Sequence, residues 1–167
     1  GRQIGNESIV GGKASGVPGE VAGLLTALEQ FGTMSREEVL QPAIEWAEKG
    51  IPVTVNLAQI ILDNYDKISQ FPATAEIFLK DGLPYEVGDV IVQKDLANTL
   101  RAIAKDGKDA FYKGPIAEKI VNEIQKQGGI ITLDDLKNYK PEIREPVTGT
   151  YRGYTIISTP PASSGGT

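Results

Sequence analysis

Residues 147–158 read VTGTYRGYTIIS, and the architecture of the whole chain depends on this stretch. β-Branched and aromatic residues stand on both sides of Arg152-Gly153, which has the length of a two-residue hairpin turn. The pattern predicts a β-hairpin with strands at Val147–Tyr151 and Tyr154–Ser158. Because an isolated two-stranded hairpin is only marginally stable in water, we expect these strands to need further strands from outside the chain.

Upstream of the hairpin, the sequence has the start and stop signals of a helical protein. Residues 18–31 and 35–49 repeat apolar side chains at helical spacing, and each run ends at a glycine. Ser35 and Glu38 have the spacing of a capping box at the start of the second run. Pro42 predicts a break within that run, near Gln41.

Four further helical segments and one loop complete the predicted chain. The helices are predicted at 55–68, 71–78, 94–106 and 115–127, followed by a single turn capped by Thr132 and Asp135. In the first of these, the predicted buried stripe is Leu57, Ile60, Ile61 and Leu62. Asp81-Gly82 is interpreted as the end of the helix predicted at 71–78. Leu83–Gln93 is interpreted as a loop with an extended piece at Val90–Val92. The fold class is α+β, with one incomplete domain: a helical portion at 1–143, and a hairpin and loop at 144–167.

Composition excludes several classes of function. The 167 residues contain 17 Lys and Arg against 22 Asp and Glu, a formal net charge of −5, with no His and no Cys. The missing His and Cys exclude Ser-His-Asp and Cys-His machinery, disulfides and zinc-thiolate sites within this chain. The acidic balance argues against nucleic-acid binding. We find no membrane span, signal peptide or initiator Met, and expect the chain to be cut from something longer.

Two short motifs suggest chemistry but lack what it requires. Gly11-Gly12-Lys13-Ala14 resembles a phosphate loop, yet Glu7 stands where that loop needs its first Gly and Ala14 where it needs Ser or Thr. We therefore interpret it as a turn. Ser163 and Ser164 could be nucleophiles on a tight turn, but a Ser nucleophile needs a neighbouring base and the chain offers no His. We interpret them as part of a structural turn.

The remaining candidates are also interpreted as structural. Paired acids, the arrangement that glycosidases use, occur at Glu37/Glu38, Glu45/Glu48, Asp63/Asp66 and Asp134/Asp135. We predict capping and solvated roles for them, because they fall at helix starts and on polar faces. Trp46 and Phe111-Tyr112 are predicted to be core residues. Asn6-Glu7-Ser8 matches the glycosylation sequon, but one such match in a chain of this length is close to what chance gives.

Six stretches, taken in order, resemble the motifs of one protein family. They are Lys13–Gly19 (KASGVPG), Leu40–Gly50 (LQPAIEWAEKG), Phe111–Gly114 (FYKG), Gly128–Tyr139 (GGIITLDDLKNY), Tyr151–Tyr154 (YRGY) and Pro160–Gly166 (PPASSGG). In these motifs the chain is similar to the large subunit of the γ-glutamyltranspeptidases, also called γ-glutamyltransferases. The resemblance extends from Gly11 to Thr167, nearly the whole chain.

The resemblance implies an N-terminal-nucleophile hydrolase with a four-layer αββα fold. In that family a precursor cleaves itself, and the new N-terminal Thr of the small subunit attacks a γ-glutamyl amide such as that of glutathione. The amine of that Thr can act as its base, and water or an acceptor amine resolves the acyl-enzyme. The resemblance thus implies two partners, the rest of the large subunit and the small subunit. It also implies export to the periplasm or outside the cell, with a cytoplasmic location left open.

No functional residue of the family falls on a matched position. The nucleophile segment is absent, and nothing marks Thr167 as the nucleophile. The family's substrate-gripping Arg lies in a segment without a match here, so Arg2 does not take that role. We therefore predict no catalytic, cofactor-binding or metal-binding residue in this chain, and expect the chain alone to be inactive. The alternatives are an autonomous helical binding or structural module, and a fragment of a related cephalosporin acylase or poly-γ-glutamate depolymerase.

Overall fold

The computed structural model describes residues 5–163. That part of the chain has an α+β architecture of nine helices and six short strands. In chain order these are α1 Glu20–Phe31, α2 Arg36–Lys49, β1 Ile51–Pro52, α3 Val55–Asp63, α4 Tyr65–Ile68, α5 Pro72–Phe78, β2 Leu79–Lys80, β3 Leu83–Pro84, β4 Val90–Ile91, α6 Lys94–Asp106, α7 Lys108–Tyr112, α8 Gly114–Lys126, α9 Leu133–Asn138, β5 Val147–Tyr151 and β6 Tyr154–Ser158.

The strands form three separate antiparallel pairs, β1 with β4, β2 with β3, and β5 with β6. The predicted hairpin is confirmed, with Tyr151 opposite Tyr154 across its turn. The extended piece near Val90 is confirmed as β4. Asp81-Gly82, in contrast, does not end a helix. α5 already ends at Phe78, and Asp81 and Gly82 have φ values of 53° and 81° as the two turn residues between β2 and β3.

Both predicted capping boxes are present. Glu38 N–H donates to Ser35 Oγ over 3.2 Å, and Ser35 N–H donates back to Glu38 Oε2 over 2.8 Å. Thr132 and Asp135 repeat this arrangement at the start of α9. Hydrogen bonds from the Thr132 hydroxyl and backbone N–H lower the pKa of Asp135, because they stabilise its ionised form. These local contacts fix where the two helices begin.

We expect Thr132→Ala to destabilise the chain by about 1 kcal/mol and to raise the pKa of Asp135 towards its ordinary value of 3.8. The substitution removes the hydroxyl that bonds both the Asp135 carboxylate and its backbone N–H. An NMR titration of the carboxyl carbons, together with urea denaturation, measures both effects. Glu38 belongs to the other capping box and is the internal control, since its pKa should stay unchanged. An unchanged pKa of Asp135 would contradict the prediction.

The predicted break at Pro42 is wrong. α2 runs without interruption from Arg36 to Lys49 and contains Pro42 in its interior. Proline removes one helical hydrogen bond, here the one that would reach the Glu38 carbonyl. Pro42 is exposed, so water can reach the freed carbonyl. Ile44 and Ala47 on the opposite side are buried against α6, which holds the helix together past the proline.

The predicted third helix differs from the observed one in length and in its buried face. It is divided at Asn64 into α3 and α4. Ile61 is buried and Leu57 half-buried, as predicted, but Ile60 and Leu62 are 58% and 57% exposed. A single run of apolar residues on a short helix cannot be divided between two faces from sequence alone, and here only the Leu57–Ile61 side contacts the core.

Three apolar clusters make up most of the core of the described residues, and Leu25 and Ile103 are buried outside them. The Tyr112 cluster joins α1, α7, α8 and α9, the α2–α6 cluster joins those two helices, and the ribbon cluster lies under the β1–β4 and β2–β3 pairs. The buried members of the Tyr112 cluster are Ala22, Tyr112, Ala117, Val121, Ile131 and Leu136. Those of the α2–α6 cluster are Ile44, Ala47, Ala97 and Ala104. Those of the ribbon cluster are Val53, Ile61, Leu79 and Ile91. None of them includes a residue of the β5–β6 hairpin.

Candidate functional site

The glycine-rich stretch at Gly11–Ala14 forms a structural turn, as its spacing predicts. Residues 12–14 make a short 3₁₀ turn against the end of α8. A side chain on Gly12 would collide with the Ile124 carbonyl, and one on Gly129 would collide with the Gly12 carbonyl. Lys13 Nζ is paired with Glu7 Oε1 at 2.8 Å. Gly12 and Gly129 therefore allow close backbone packing.

The paired acids do not form a catalytic pair in the described structure. Glu38 and Asp135 belong to the capping boxes, and Glu45 accepts hydrogen bonds from Gln41 and Lys49, which lower its pKa. Glu48 forms an ion pair with Arg101 at 2.6 Å. Within residues 5–163 there is no group of three Asp, Glu, His or Cys side chains that could hold a metal ion. The carboxylates observed in contacts thus serve helix ends and surface pairs.

The serine candidates lie at the end of the described chain. Ser163 N–H donates to the Pro160 carbonyl over 3.2 Å, which fits the predicted turn. Ser164, Thr167 and Arg2 lie outside the described residues. Among the residues that are described, no charged side chain is buried, and no helix has the length and apolar character of a membrane crossing.

Tyr112 is a structurally important residue whose partners sequence reasoning missed. Its hydroxyl donates to the Pro18 carbonyl over 2.6 Å and accepts a hydrogen bond from Ala22 N–H over 3.1 Å. Gly19, the N-cap of α1, has no side chain to bind the free N–H groups of the first turn, so Tyr112 acts as the cap from 90 residues away. Burial raises the pKa of Tyr112.

Three of the family-like motifs meet at this residue. The Tyr112 ring stacks on that of Tyr139 with centroids 5.9 Å apart, and Gly19 lies so close to the Tyr139 hydroxyl that a side chain there would collide with it. Lys13–Gly19, Phe111–Gly114 and Gly128–Tyr139 therefore define one packing unit. Phe111 and Tyr112 are half-buried and buried, which confirms their predicted core role. All three motifs contain Gly and two of them contain Tyr, which was the available signal for the contact.

Trp46 is not a core residue as predicted. Its side chain is 57% exposed and, with Gln41, Pro42, Glu45 and Lys49, lines an open groove of about 370 Å³ on the outer face of α2. The helical pattern placed it correctly on α2 but did not distinguish the face that meets α6 from the face that does not.

The β5–β6 hairpin is the described element least covered by the rest of the chain. Every residue of β5 is exposed, as are the first four of β6, including Tyr154 at 74% and Ile157 at 68%. Its strands carry no charged residue, and the only charge between residues 147 and 158 is Arg152 in the turn. Exposed apolar surface of this kind marks a site of interaction. The candidate functional site is therefore an assembly surface.

Comparisons with known proteins identify what this chain is similar to. The chain is 45% identical over 161 residues to the glutathione hydrolase proenzyme of Bacillus subtilis, covering 96% of this chain and 27% of that protein. It is 44% identical over 160 residues to the acylase ACY 1 proenzyme of a Pseudomonas strain, covering 96% and 29%. The crystal structure of Helicobacter pylori γ-glutamyltranspeptidase superposes with a TM-score of 0.95 at 41% identity, covering 98% of this chain and 47% of that one.

The matches cover nearly all of this chain but only part of each relative. It spans little more than a quarter of the length of the curated relatives, while nearly all of its own residues are matched. The sequence model described as gamma-glutamyltranspeptidase matches residues 1–167. The fold, the order of the motifs and this full-length match together place the chain in the γ-glutamyltranspeptidase family.

Proposed function

We propose that the chain is part of the large subunit of a γ-glutamyltransferase, an enzyme that transfers or hydrolyses the γ-glutamyl group of glutathione and related amides. The observation that supports this is the uncharged hairpin, which the described residues leave exposed on both faces. In this proposal residues 1–143 form the helical portion of one incomplete domain, and residues 144–167 join the central sheet of an αββα sandwich.

The proposed chemistry takes place outside this chain. A Thr at the start of the small subunit attacks the carbonyl carbon of the γ-glutamyl amide, with its own amine accepting the hydroxyl proton. The amine of the substrate leaves as the acyl-enzyme forms, and water or an acceptor amine then takes the γ-glutamyl group. The large-subunit segment supports this site through the fold. Among its described acids, Glu45 accepts hydrogen bonds from Gln41 and Lys49, and Glu48 is paired with Arg101.

We expect the purified 167-residue chain to show no turnover of γ-glutamyl-p-nitroanilide, while the proenzyme that contains it matures and turns the substrate over. Release of p-nitroaniline measures activity. Denaturing mass spectrometry with N-terminal sequencing should find a second, smaller chain that begins with Thr. The control is the proenzyme with that Thr replaced by Ala, which should stay uncleaved and inactive. Turnover by the isolated chain would refute the proposal that the catalytic Thr lies outside it.

A second candidate function is acylase activity on the side-chain amide of a cephalosporin. The 44% identity to the acylase ACY 1 proenzyme favours an acylase, because this value is close to the 45% identity to the glutathione hydrolase proenzyme. The crystal structure of a cephalosporin acylase from Bacillus halodurans is also similar to this chain, with a TM-score of 0.80 at 33% identity over 87% of this chain and 29% of that one, which favours a cephalosporin as the substrate. The same matured protein, offered both substrates, separates the two: the ratio of kcat/KM values names the substrate class. An autonomous binding module is disfavoured, since it would leave the apolar hairpin uncovered in water.

A further inference from the structure

The two edges of the β5–β6 hairpin differ in what they offer a neighbouring strand. Tyr151 and Tyr154 flank the two-residue turn and form a hydrogen-bonded pair. Because hydrogen-bonded and non-hydrogen-bonded pairs alternate in an antiparallel ladder, the N–H groups of the next pair, Thr150 and Thr155, point away from the hairpin. The same holds for the pair Thr148 and Ile157. These outward groups are the ones that a third strand would contact.

The β5 edge is poorly suited to a third strand. Continuing the alternation, Pro146 stands at an outward position just before β5 and has no N–H to donate. Gly149 lies in the middle of β5 and gives a neighbour no side chain to pack against. The residues that lead into β5 carry exposed charges, including the ion pair of Arg144 with Glu142 at 2.6 Å. Proline and charge are features by which natural sheets protect a terminal edge.

Within the β6 strand itself none of these features occurs, and Pro160 and Pro161 follow only after the strand has ended. Its residues are Tyr154, Thr155, Ile156, Ile157 and Ser158, without glycine or proline, and no charged residue follows Arg152 in the sequence. β-Branched and aromatic residues of this kind are favoured in paired strands. The outward positions at Thr155 and Ile157 both retain their N–H donors. This edge can therefore extend the sheet along its whole length.

The two faces of the hairpin also indicate its surroundings. One face carries Tyr151 and Tyr154 with Ile156, and the other carries three Thr side chains with Ile157. Neither face has a charged side chain within the strands, whereas the water-facing side of an antiparallel sheet carries polar and charged residues. Both faces are therefore suited to being covered, as in an internal layer.

We propose that β6 is the edge that pairs with the next strand of the sheet, that β5 is a terminal edge, and that the next strand comes from the remainder of the same proenzyme. This rests on the proposed function, because the relatives contain the additional chain: 27% of the B. subtilis proenzyme is covered here. The strand that fits is uncharged on the side chains next to β6. It supplies the third strand that a stable sheet needs.

Amide-resolved hydrogen exchange on the intact proenzyme tests the proposal without any substitution. The N–H groups of Thr155 and Ile157 should exchange at least about tenfold more slowly than those of Thr148 and Thr150. Equal protection at both edges, or protection of β5 alone, would overturn the proposal. Protection of β6 that disappears on dilution into monomers, as followed by sedimentation, would identify a second copy as the occupant and would also overturn it.

A matched pair of proline variants provides an independent test. Thr150→Pro and Thr155→Pro change the same residue type at opposite positions of one pair, and each removes one outward N–H while sparing the hairpin's own hydrogen bonds. We expect Thr155→Pro to lower the yield of soluble, matured proenzyme at least about tenfold relative to Thr150→Pro. Equal yields would contradict the assignment of the edges.

The activity assay on the same samples keeps the two proposals apart. Asymmetric exchange in a protein that does not turn over γ-glutamyl-p-nitroanilide would refute the proposed function and support the edge assignment. Normal turnover with symmetric exchange would refute the edge assignment and leave the proposed function supported.

Discussion

The Tyr112→Phe variant should unfold with a free energy about 1–3 kcal/mol lower than that of the wild type. The substitution keeps the aromatic ring in place but removes the hydroxyl that bonds the Pro18 carbonyl and Ala22 N–H. Ala22 is 2% exposed, so its N–H has little access to water as a replacement. The loss therefore reflects a buried donor left without its partner, at the start of a helix whose N-cap is Gly19.

The pH dependence gives this prediction a second readout. Burial raises the pKa of Tyr112 above its ordinary value of 10.0, so the folded state favours the neutral hydroxyl. Its contribution to stability is fully present below pH 10 and is lost as the pH rises through the folded-state pKa. Urea denaturation of the 167-residue chain between pH 7 and 11 should show this loss in the wild type and a smaller one in Tyr112→Phe.

The control for Tyr112→Phe is Tyr154→Phe, which removes a hydroxyl from a side chain that is 74% exposed. We expect it to change the free energy of unfolding by less than about 0.5 kcal/mol. A Tyr112→Phe variant as stable as this control would disprove the capping role.

Leu136→Ala should produce the largest loss of stability, about 2–5 kcal/mol. Leu136 is 0% exposed and lies in the Tyr112 cluster, where α9 packs against α7 and α8. Removing its side chain leaves a cavity among residues held by three helices, which limits how far the site can collapse. Urea denaturation followed by far-ultraviolet circular dichroism measures the effect.

The matched control for Leu136→Ala is Leu24→Ala, the same substitution at a position that is 63% exposed on α1. We expect it to cost less than about 1 kcal/mol, since the removed side chain already contacts water. Equal losses in the two variants would mean that Leu136 does not belong to a tightly packed core.

Features that depend on neighbouring residues were predicted well from the sequence. The capping boxes at Ser35 and Thr132 are contacts within four residues, and the β5–β6 hairpin follows from its turn. The Asp81-Gly82 turn is also local. It was misinterpreted because a helix end and a two-residue hairpin turn share the same residue types, and strands of two residues give no alternation that separates them.

Features that depend on distant partners were not predictable. Which side of α3 is buried is decided by Val53, Leu79 and Ile91, which no helical period encodes. Pro42 is tolerated because its side of α2 faces water, and Trp46 is exposed for the same reason. The hydrogen bonds of Tyr112 join residues 90 and 94 positions apart. For the candidate site, composition excluded only chemistry that depends on His or Cys, and only the structure distinguished the exposed hairpin from the packed helices.

During synthesis on the ribosome, the Tyr112 cluster is completed later than the ribbon cluster. The ribbon cluster is complete once Ile91 has emerged, because all its buried members lie between residues 53 and 91. Ala22, in contrast, meets Tyr112 only after 90 further residues have been added. At about 5–20 residues per second, α1 waits roughly 5–18 s for Tyr112 of α7, and the nascent protein must be kept from misfolding during that interval.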